Sequence, residues 1–268
     1  MRKICLLTMI IVSVFFNASH AFAQKKTIRI STIYNYPPYC YLKENAISSL
    51  KNEIVNNGED SKILTGLSWE IVREAYHATG YSIELYVTPW SRALSYVDKQ
   101  RADVIFPTTI NLKRQKKYYF SKELSNPKSK ILIYVRNDSD IKWHGLSSLN
   151  GQVIATVGGW SYGIKWDEYE KNDSGVKIIR VNNIDVAFKN LITGRINGLV
   201  GYDIVFDYEA KKLGIFNKVR KLSPFDIASE NVMGLQSNSA QKFLDDYDKG
   251  YQIIKANGLL EQIRKKYN

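Results

Sequence analysis

Short apolar blocks separated by polar residues predict alternating strands and helices in the first part of the chain. Residues 27–33 (TIRISTI) alternate with the period of a strand, and residues 66–79 carry an apolar stripe at helical spacing. A strand at 83–87, a helix opening at Pro89 and a buried strand at 104–106 follow. This βαβαβ order is typical of a mostly parallel sheet covered by helices, so the predicted fold class is α/β.

A second α/β unit follows, and the polar segment 44–65 before the first helix is expected to be a surface insertion. Pro107 is expected to end the strand at 104–106, because proline has no N–H for a sheet ladder. The later strands are predicted at 130–135, 153–157, 177–181, 198–201 and 231–236, and the later helices after Gly163 and at 184–193, 240–257 and 259–267.

The first 23 residues have the pattern of a cleavable targeting segment. Arg2 and Lys3 form a positive start, residues 5–16 are mostly apolar, and residues 21–23 read Ala-Phe-Ala, an A-x-A cleavage site. We therefore expect residues 1–23 to be a signal peptide and the mature protein to be exported and soluble. Cys40 would then be the one remaining cysteine, which cannot close a disulfide within the chain.

The formal net charge of +12 would favour acidic or carboxylate ligands, or an anionic membrane surface. The lysines are spread along the chain and the sequence has no nucleic-acid-binding motif. Since an exported protein does not meet nucleic acid, we expect no nucleic-acid partner.

The stretch from Asp103 to Ser121 carries the first candidate ligand group. Two hydroxyls, Thr108 and Thr109, follow the predicted strand, and Arg114 comes five residues after Thr109. An arginine beside hydroxyls at a strand end suits a ligand carboxylate, because the guanidinium fork donates two parallel hydrogen bonds to its oxygens. The alternative is a strand, a turn and a solvated basic face.

Further candidates from separate parts of the chain also follow predicted strand ends, where open α/β sheets bind ligands. They are Tyr36 in a rigid YPPY turn, Trp90, Trp160, Ser161 and Asp203. Packing in the core is the alternative for the aromatic residues. If two lobes face each other with these ends, all the candidates meet in one cleft.

Covalent and metal chemistry find little support in the sequence. Residues 159–163 match the G-x-S-x-G motif of serine hydrolases, but His77 and His144 of the mature chain both precede the serine, whereas that fold needs a later histidine. A glycine-rich turn before a helix could instead hold an anion with its backbone N–H groups. Two distant histidines and one cysteine offer no metal-ligand spacing. We expect no catalytic residue, no metal and no cofactor.

The order and spacing of several motifs resemble the bacterial extracellular solute-binding proteins, family 3. These are periplasmic receptors of polar amino-acid ABC transporters, such as the histidine- and lysine/arginine/ornithine-binding proteins. The resemblance covers residues 27–268. It rests on YPPY, GLSWEIV, PWSRAL, ADVIFPTTINLKRQKKYYFS, LNGQVIATVGGWS, GRINGLVGYD, VMGLQSNS and the closing helix pair.

The resemblance implies a periplasmic-binding-protein type II fold, with two α/β lobes joined by a two-strand hinge. Lobe 1 would comprise residues 24–126 plus 231–268, and lobe 2 residues 127–230. The implied function is capture of an amino acid or related small carboxylate between the lobes, for delivery to an inner-membrane ABC permease. The protein would be a periplasmic monomer without enzymatic activity.

Matching the motifs position by position assigns roles to the candidates in the first α/β unit. Arg114 takes the place of the family's carboxylate-binding arginine, and Thr109 that of its hydroxyl partner, with Thr108 beside it. Tyr36 takes the place of the aromatic residue that covers the ligand, and Trp90 that of a side-chain contact.

The second unit departs from the family pattern at two places. Trp160 and Ser161 fall on paired hydroxyl positions, and only Ser161 keeps a hydroxyl. The family's ammonium-binding acid is replaced by Tyr202, with Asp203 one place later. Either the loop shifts so that Asp203 serves, or the ammonium site is altered.

Two other functions stay open at this point. Periplasmic dehydratases share the fold and would need an acid or base in the cleft, for which Glu70 and Asp203 are candidates. A ligand-sensing partner of a membrane signalling receptor is the other, and the sequence does not separate it from transport.

Overall fold

The structure, a computed structural model, describes residues 26–44, 46, 52–122, 124, 129–172 and 175–267. The predicted signal peptide lies outside these residues, and so do residues 125–128 at the predicted boundary between the lobes. In the described part of the chain, no helix combines the length and the apolar character that a membrane span needs.

The strands, in chain order, are β1 (Lys26–Thr32), β2 (Asn35–Tyr36), β3 (Cys40–Leu42), β4 (Asn52–Val55), β5 (Leu64–Thr65), β6 (Tyr81–Val87), β7 (Val104–Thr108), β8 (Tyr118–Phe120), β9 (Ser129–Arg136), β10 (Val153–Val157), β11 (Lys177–Val181), β12 (Gly198–Tyr202), β13 (Val219–Lys221), β14 (Asp226–Ala228) and β15 (Asn231–Leu235).

The α-helices are α1 (Leu67–Ala78), α2 (Trp90–Asp98), α3 (Leu112–Gln115), α4 (Gly163–Lys171), α5 (Ile184–Ile192), α6 (Asp203–Lys212), α7 (Asn238–Ala256) and α8 (Leu259–Tyr267). The predicted helices lie within two residues of these bounds.

The first lobe is built on a sheet with the strand order β4-β6-β1-β7-β15-β8. Its centre is the predicted parallel unit, since β1 pairs in parallel with both β6 and β7. The inward residues of β1, Ile28 and Ile30, are fully buried. Helices α1, α7 and α8 pack together, and the backbone of α7 approaches α1 so closely that a Cβ on Gly250 would collide with the carbonyl of Ala75.

The second lobe is built on a sheet with the order β11-β10-β12-β9-β13, and β14 also pairs with β9. Strands β10, β11 and β12 are parallel, whereas β9 is antiparallel to β12. Helices α5 and α6 pack against this sheet. Each lobe therefore has its own sheet, and β15 returns the chain to the first sheet, as the α/β type II fold requires.

The prediction that Pro107 ends its strand was wrong, because β7 continues to Thr108. The neighbouring strand β15 pairs with Thr108 through Asn231 and with Ile105 through Met233, and its register shifts between these two pairs. The missing N–H of Pro107 falls at this irregularity, which is where a sheet tolerates proline.

The interpretation of residues 44–65 as a surface insertion was incomplete. Strand β4 adds to the first sheet by pairing antiparallel with β6, and Val55 is buried there. Strand β5 joins β2 and β3 in a separate small sheet. The polar composition reflects an edge strand, in which the outward residue Ile54 remains exposed.

Candidate functional site

A small cavity lies between the two lobes, where strands of both sheets end. Its volume is about 30 Å³, measured as the space open to the centre of a water-sized sphere. One water molecule needs roughly 10–15 Å³ on this measure, so the closed site is narrow. The described residues that line it are Ile33, Tyr36, Trp90, Pro107, Thr109, Arg114, Trp160, Ser161, Tyr202 and Glu230.

Arg114 lies on the short helix α3, where Asn111 caps the first turn by accepting the Arg114 backbone N–H at 2.8 Å. Its Nη1 donates to the backbone carbonyl of Thr109 at 2.8 Å and to the Thr109 hydroxyl at 3.3 Å. Its Nη2 donates to the Gly159 carbonyl at 3.2 Å. The guanidinium also lies 5.6 Å from the centre of the Trp90 ring. These contacts hold the guanidinium at the cavity wall.

The guanidinium of Arg114 is a buried cation with neutral partners. Its residue is 8% exposed, and burial lowers its pKa from the usual value, although an arginine stays charged in a protein. None of the ion pairs found within the described ranges includes Arg114. A buried charge is costly unless an opposite charge or strong hydrogen bonds offset the cost. The site is therefore suited to an anion.

Hydrogen bonds between described residues join the lobes at the cavity. Trp90 Nε1 donates to the Gly159 carbonyl at 2.7 Å, and Arg114 donates to the same oxygen. Asn111 Nδ2 donates to the Ser161 hydroxyl at 2.8 Å. The glycine-rich turn after β10 thus offers a carbonyl oxygen to the first lobe, whereas the sequence suggested that its N–H groups would hold an anion.

Three aromatic rings of the cavity lining contact one another, and we call them the aromatic cluster: Tyr36, Trp160 and Tyr202. The ring centres of Tyr36 and Trp160 lie 5.2 Å apart in an edge-to-face arrangement, and those of Trp160 and Tyr202 lie 5.8 Å apart. Such pairs add about 0.5–1.5 kcal/mol beyond the burial of their area. The cluster makes the cavity both narrow and largely apolar.

Tyr202 lies on the cavity wall where the family resemblance places an acid. Its hydroxyl donates to the backbone carbonyl of Ser161, and it also contacts the Thr109 side chain. Burial raises its pKa above the usual value, so the group is neutral at physiological pH. The second lobe therefore presents a neutral phenol at this position.

Two of the predicted site residues lie outside the cavity lining. Asp203 begins α6 and accepts the backbone N–H groups of Lys130 at 3.1 Å and Ile204 at 2.9 Å. Thr108 is buried in β7, and its hydroxyl donates to the Asn231 carbonyl at 2.8 Å. The structure brings together the other six predicted residues, Tyr36, Trp90, Thr109, Arg114, Trp160 and Ser161.

Glu230 lines the cavity, and sequence reasoning missed it. It lies in the connection from β14 to β15, is 3% exposed, and accepts a hydrogen bond from the Ser68 hydroxyl at 3.0 Å. A hydrogen bond also joins it to Tyr36. A single glutamate before a strand carries no motif, so only the fold reveals its position.

The other residues considered for catalysis or metal binding lie outside the cavity lining. Glu70, one of the two acids considered for a dehydratase, accepts hydrogen bonds from Lys266 Nζ and from the Tyr267 hydroxyl, each at 2.5 Å. Cys40 is buried beside Thr32, and burial raises the pKa of its thiol. In the parts of the chain that the structure covers, no group of three or more metal-ligating side chains occurs.

The fold is shared with several solved structures. A mutant of ArgBP from T. maritima has a TM-score of 0.71 and 18% identity, covering 90% of this chain and 94% of that chain. A histidine kinase sensor domain with similarity to periplasmic binding proteins has a TM-score of 0.72 and 20% identity, over 91% and 96%. The ancestral amino acid-binding protein AncCDT-1, a precursor of cyclohexadienyl dehydratase, has a TM-score of 0.67 and 18% identity, over 90% and 94%.

The sequence comparisons give a family and no individual relative. No curated protein matches the sequence. The family model of bacterial extracellular solute-binding proteins, family 3, matches residues 28–268. That match takes in both sheets and every residue of the interlobe cavity. The chain therefore belongs to the bacterial extracellular solute-binding proteins, family 3.

Proposed function

We propose that this protein is a periplasmic receptor that captures an amino acid or a related small carboxylate between its lobes and delivers it to an inner-membrane ABC permease. Its family membership supports ligand binding. In this proposal, residues 24–126 and 231–268 form the first lobe, and residues 127–230 form the second. Residues 1–23 direct export.

The observation that carries the proposal is the buried guanidinium of Arg114 on the cavity wall. In the described part of the chain, its contacts with Thr109 and Gly159 use at most three of its five N–H donors, so at least two remain for a ligand. Two parallel N–H donors match the two oxygens of a carboxylate. A ligand carboxylate would also supply the negative charge that a buried cation favours.

The residues that line the cavity come from both lobes, and this explains why a ligand would favour closure of the lobes. Trp90, Thr109 and Arg114 come from the first lobe, whereas Trp160 and Ser161 come from the second. A ligand held by both sets makes its full contacts only in the closed form, so binding shifts the population towards that form. The permease would then recognise the closed protein.

The test compares Arg114→Ala and Arg114→Lys with wild type. A thermal-shift screen of the twenty amino acids and of small organic acids identifies the ligand, and calorimetry gives its affinity. We expect Arg114→Ala to weaken binding by about 2–5 kcal/mol, because a buried charge pair is lost. Arg114→Lys should recover only part of the loss, since lysine has no planar fork.

Arg101→Lys is the matched control, because Arg101 is an exposed arginine that follows the C-terminal end of α2. The Arg101→Lys protein should bind the ligand like wild type. Unchanged affinity in Arg114→Ala would contradict the carboxylate clamp. Conversion of the bound compound into a new one would contradict a pure receptor and favour an enzyme.

A further inference from the structure

An acidic side chain also lines the cavity, and it comes from an unexpected part of the chain. Glu230 lies in the segment that leads from the second lobe back to the first, and it is 3% exposed. Of the described residues that line the cavity, Arg114 is the basic one and Glu230 is the acidic one. The cavity therefore has a basic and an acidic wall group.

The carboxylate of Glu230 is held in position by hydroxyl groups of the first lobe. Ser68, on α1, donates to Glu230 Oε2 at 3.0 Å, and the hydroxyl of Tyr36 is a further partner. Burial, followed by the charge of Glu230, raises the pKa of Tyr36, so this hydroxyl stays a neutral donor. These hydroxyl groups orient the carboxyl group of Glu230 towards the cavity wall.

The aromatic rings of the cavity suit a cation as well. Tyr36 and Trp160 both line the cavity and contact each other edge to face. A cation near the face of a tyrosine or tryptophan gains about 0.5–2 kcal/mol, most when it is removed from water. At the same time, Tyr202 offers a neutral phenol where the family resemblance places an acid, and Asp203 lies outside the cavity.

We propose that Glu230 is the group that binds the ligand's ammonium, in place of an acid at position 202. This inference rests on the proposed function and narrows it: the ligand carries an amino group as well as a carboxylate, as an α-amino acid does. Arg114 holds the carboxylate and Glu230 receives the ammonium, with Tyr36 beside it. A carboxylate without an amino group would contact Arg114 but would offer no ammonium to Glu230.

The test uses the amino acid with the largest thermal shift in a screen of all twenty and its desamino acid, for example L-alanine with propanoate or L-glutamine with 4-carbamoylbutanoate. Calorimetry on the wild-type protein should show that the amino acid binds at least about 30-fold more tightly, because the desamino acid lacks the ammonium that Glu230 would bind. Equal affinities would overturn the proposal even if every variant failed to fold.

Variants of Glu230 test whether this residue causes the difference in affinity between the amino acid and its desamino acid. Glu230→Gln should weaken amino-acid binding by about 30-fold or more and leave the desamino acid nearly unchanged. Glu230→Asp, which keeps the charge, should recover part of the affinity. Glu209→Gln removes another buried carboxylate, on α6, and should bind like wild type. Wild-type amino-acid affinity in a folded Glu230→Gln protein would overturn the proposal.

Failure of this inference differs from failure of the proposed function. If carboxylates with and without an amino group bind equally and Arg114→Ala weakens both, Glu230 has no such role but the receptor proposal stands. If no amino acid and no carboxylate binds, both proposals are wrong.

Discussion

Trp160 packs edge-on against Tyr36 and beside Tyr202, and its indole occupies a position where the family resemblance expects a hydroxyl. The indole also contacts Phe206 of the second lobe at 6.0 Å between ring centres. Since interiors are closely packed, the size of one such side chain sets the space left for a ligand. At the scale of single residues, we therefore expect the aromatic cluster to select against large ligands, and Arg114 and Glu230 to select ligands by charge.

Replacement of Trp160 by serine should widen the range of ligands. Affinity for bulky amino acids such as L-phenylalanine and L-arginine should rise at least about tenfold relative to the preferred ligand, as expected for the removal of a steric block. Calorimetric titration of wild type and Trp160→Ser with these amino acids checks this. An unchanged ratio of affinities would show that Trp160 does not limit ligand size.

Single residues also show which parts of the candidate site could be predicted from the sequence. Arg114 was predicted because an arginine beside hydroxyls at a strand end has a recognisable chemistry, and the structure places it on the cavity wall, although its role stays a prediction. Glu230 was missed because its importance depends on a long-range return of the chain. Asp203 was a candidate because it lies next to Tyr202 in sequence, yet successive residues point in different directions.

At the scale of elements, the last helix is fastened to the first. Tyr267, at the end of α8, donates to Glu70 on α1 at 2.5 Å and accepts the Gly66 N–H at 3.2 Å. Lys266 also donates to Glu70 at 2.5 Å. Burial, followed by Glu70, raises the pKa of Tyr267 to about 12. The start of α1 and the end of the chain thus form one hydrogen-bonded unit.

Tyr267→Phe should lower the free energy of unfolding by about 1–3 kcal/mol, because Glu70 and the Gly66 N–H each lose a partner in a protected place. The raised pKa means that the folded state holds the Tyr267 proton more tightly than the unfolded state does. The difference between wild type and variant should therefore shrink as the pH rises from about 10, the ordinary tyrosine value, to about 12.

Urea unfolding at pH 7 and at several values between pH 10 and 12 measures this difference. Tyr119→Phe is the control, since Tyr119 is an exposed tyrosine on β8 of the same lobe. A Tyr267→Phe protein as stable as the control at pH 7 would show that the hydrogen bonds of Tyr267 contribute little to the free energy of unfolding.

Most regular elements were predictable because each carries its own pattern. Strands β10 and β11 and helix α8 have the predicted bounds, since alternation and turn residues define them locally. The extension of β7 through Pro107 was not predictable, because it depends on the register of β15, which lies more than a hundred residues later. Strand β4 was hidden in a polar segment for the same reason: its partner β6, and not its own composition, makes it a strand.

At the scale of the whole molecule, the carbonyl of Gly159 is a contact shared by two residues of the first lobe. Trp90 and Arg114 both donate to this oxygen, and Asn111 donates to the nearby Ser161 hydroxyl. A form with separated lobes would lack these bonds. We therefore expect the balance between open and closed forms to depend on protein groups as well as on the ligand.

Trp90→Phe keeps a ring but removes the N–H that reaches Gly159. The ratio of closed to open molecules should fall about two- to twelvefold, which corresponds to the usual worth of one hydrogen bond, about 0.5–1.5 kcal/mol. Energy transfer between dyes placed on the two lobes measures the ratio without added ligand. Trp143→Phe is the control, because Trp143 lies beside Lys165 and Phe225, away from the cavity. Equal ratios in the two variants would contradict the prediction.

The pairing of β9 with β14 has a mechanical consequence. The chain enters the second sheet at Ser129 and leaves it at Ala228, and these two residues are partners in the ladder. Because this ladder ties the two ends of the second lobe together, we expect the lobe to rotate about one axis without sliding sideways. Under the proposed function, a single opening angle would then distinguish the ligand-free from the ligand-bound protein.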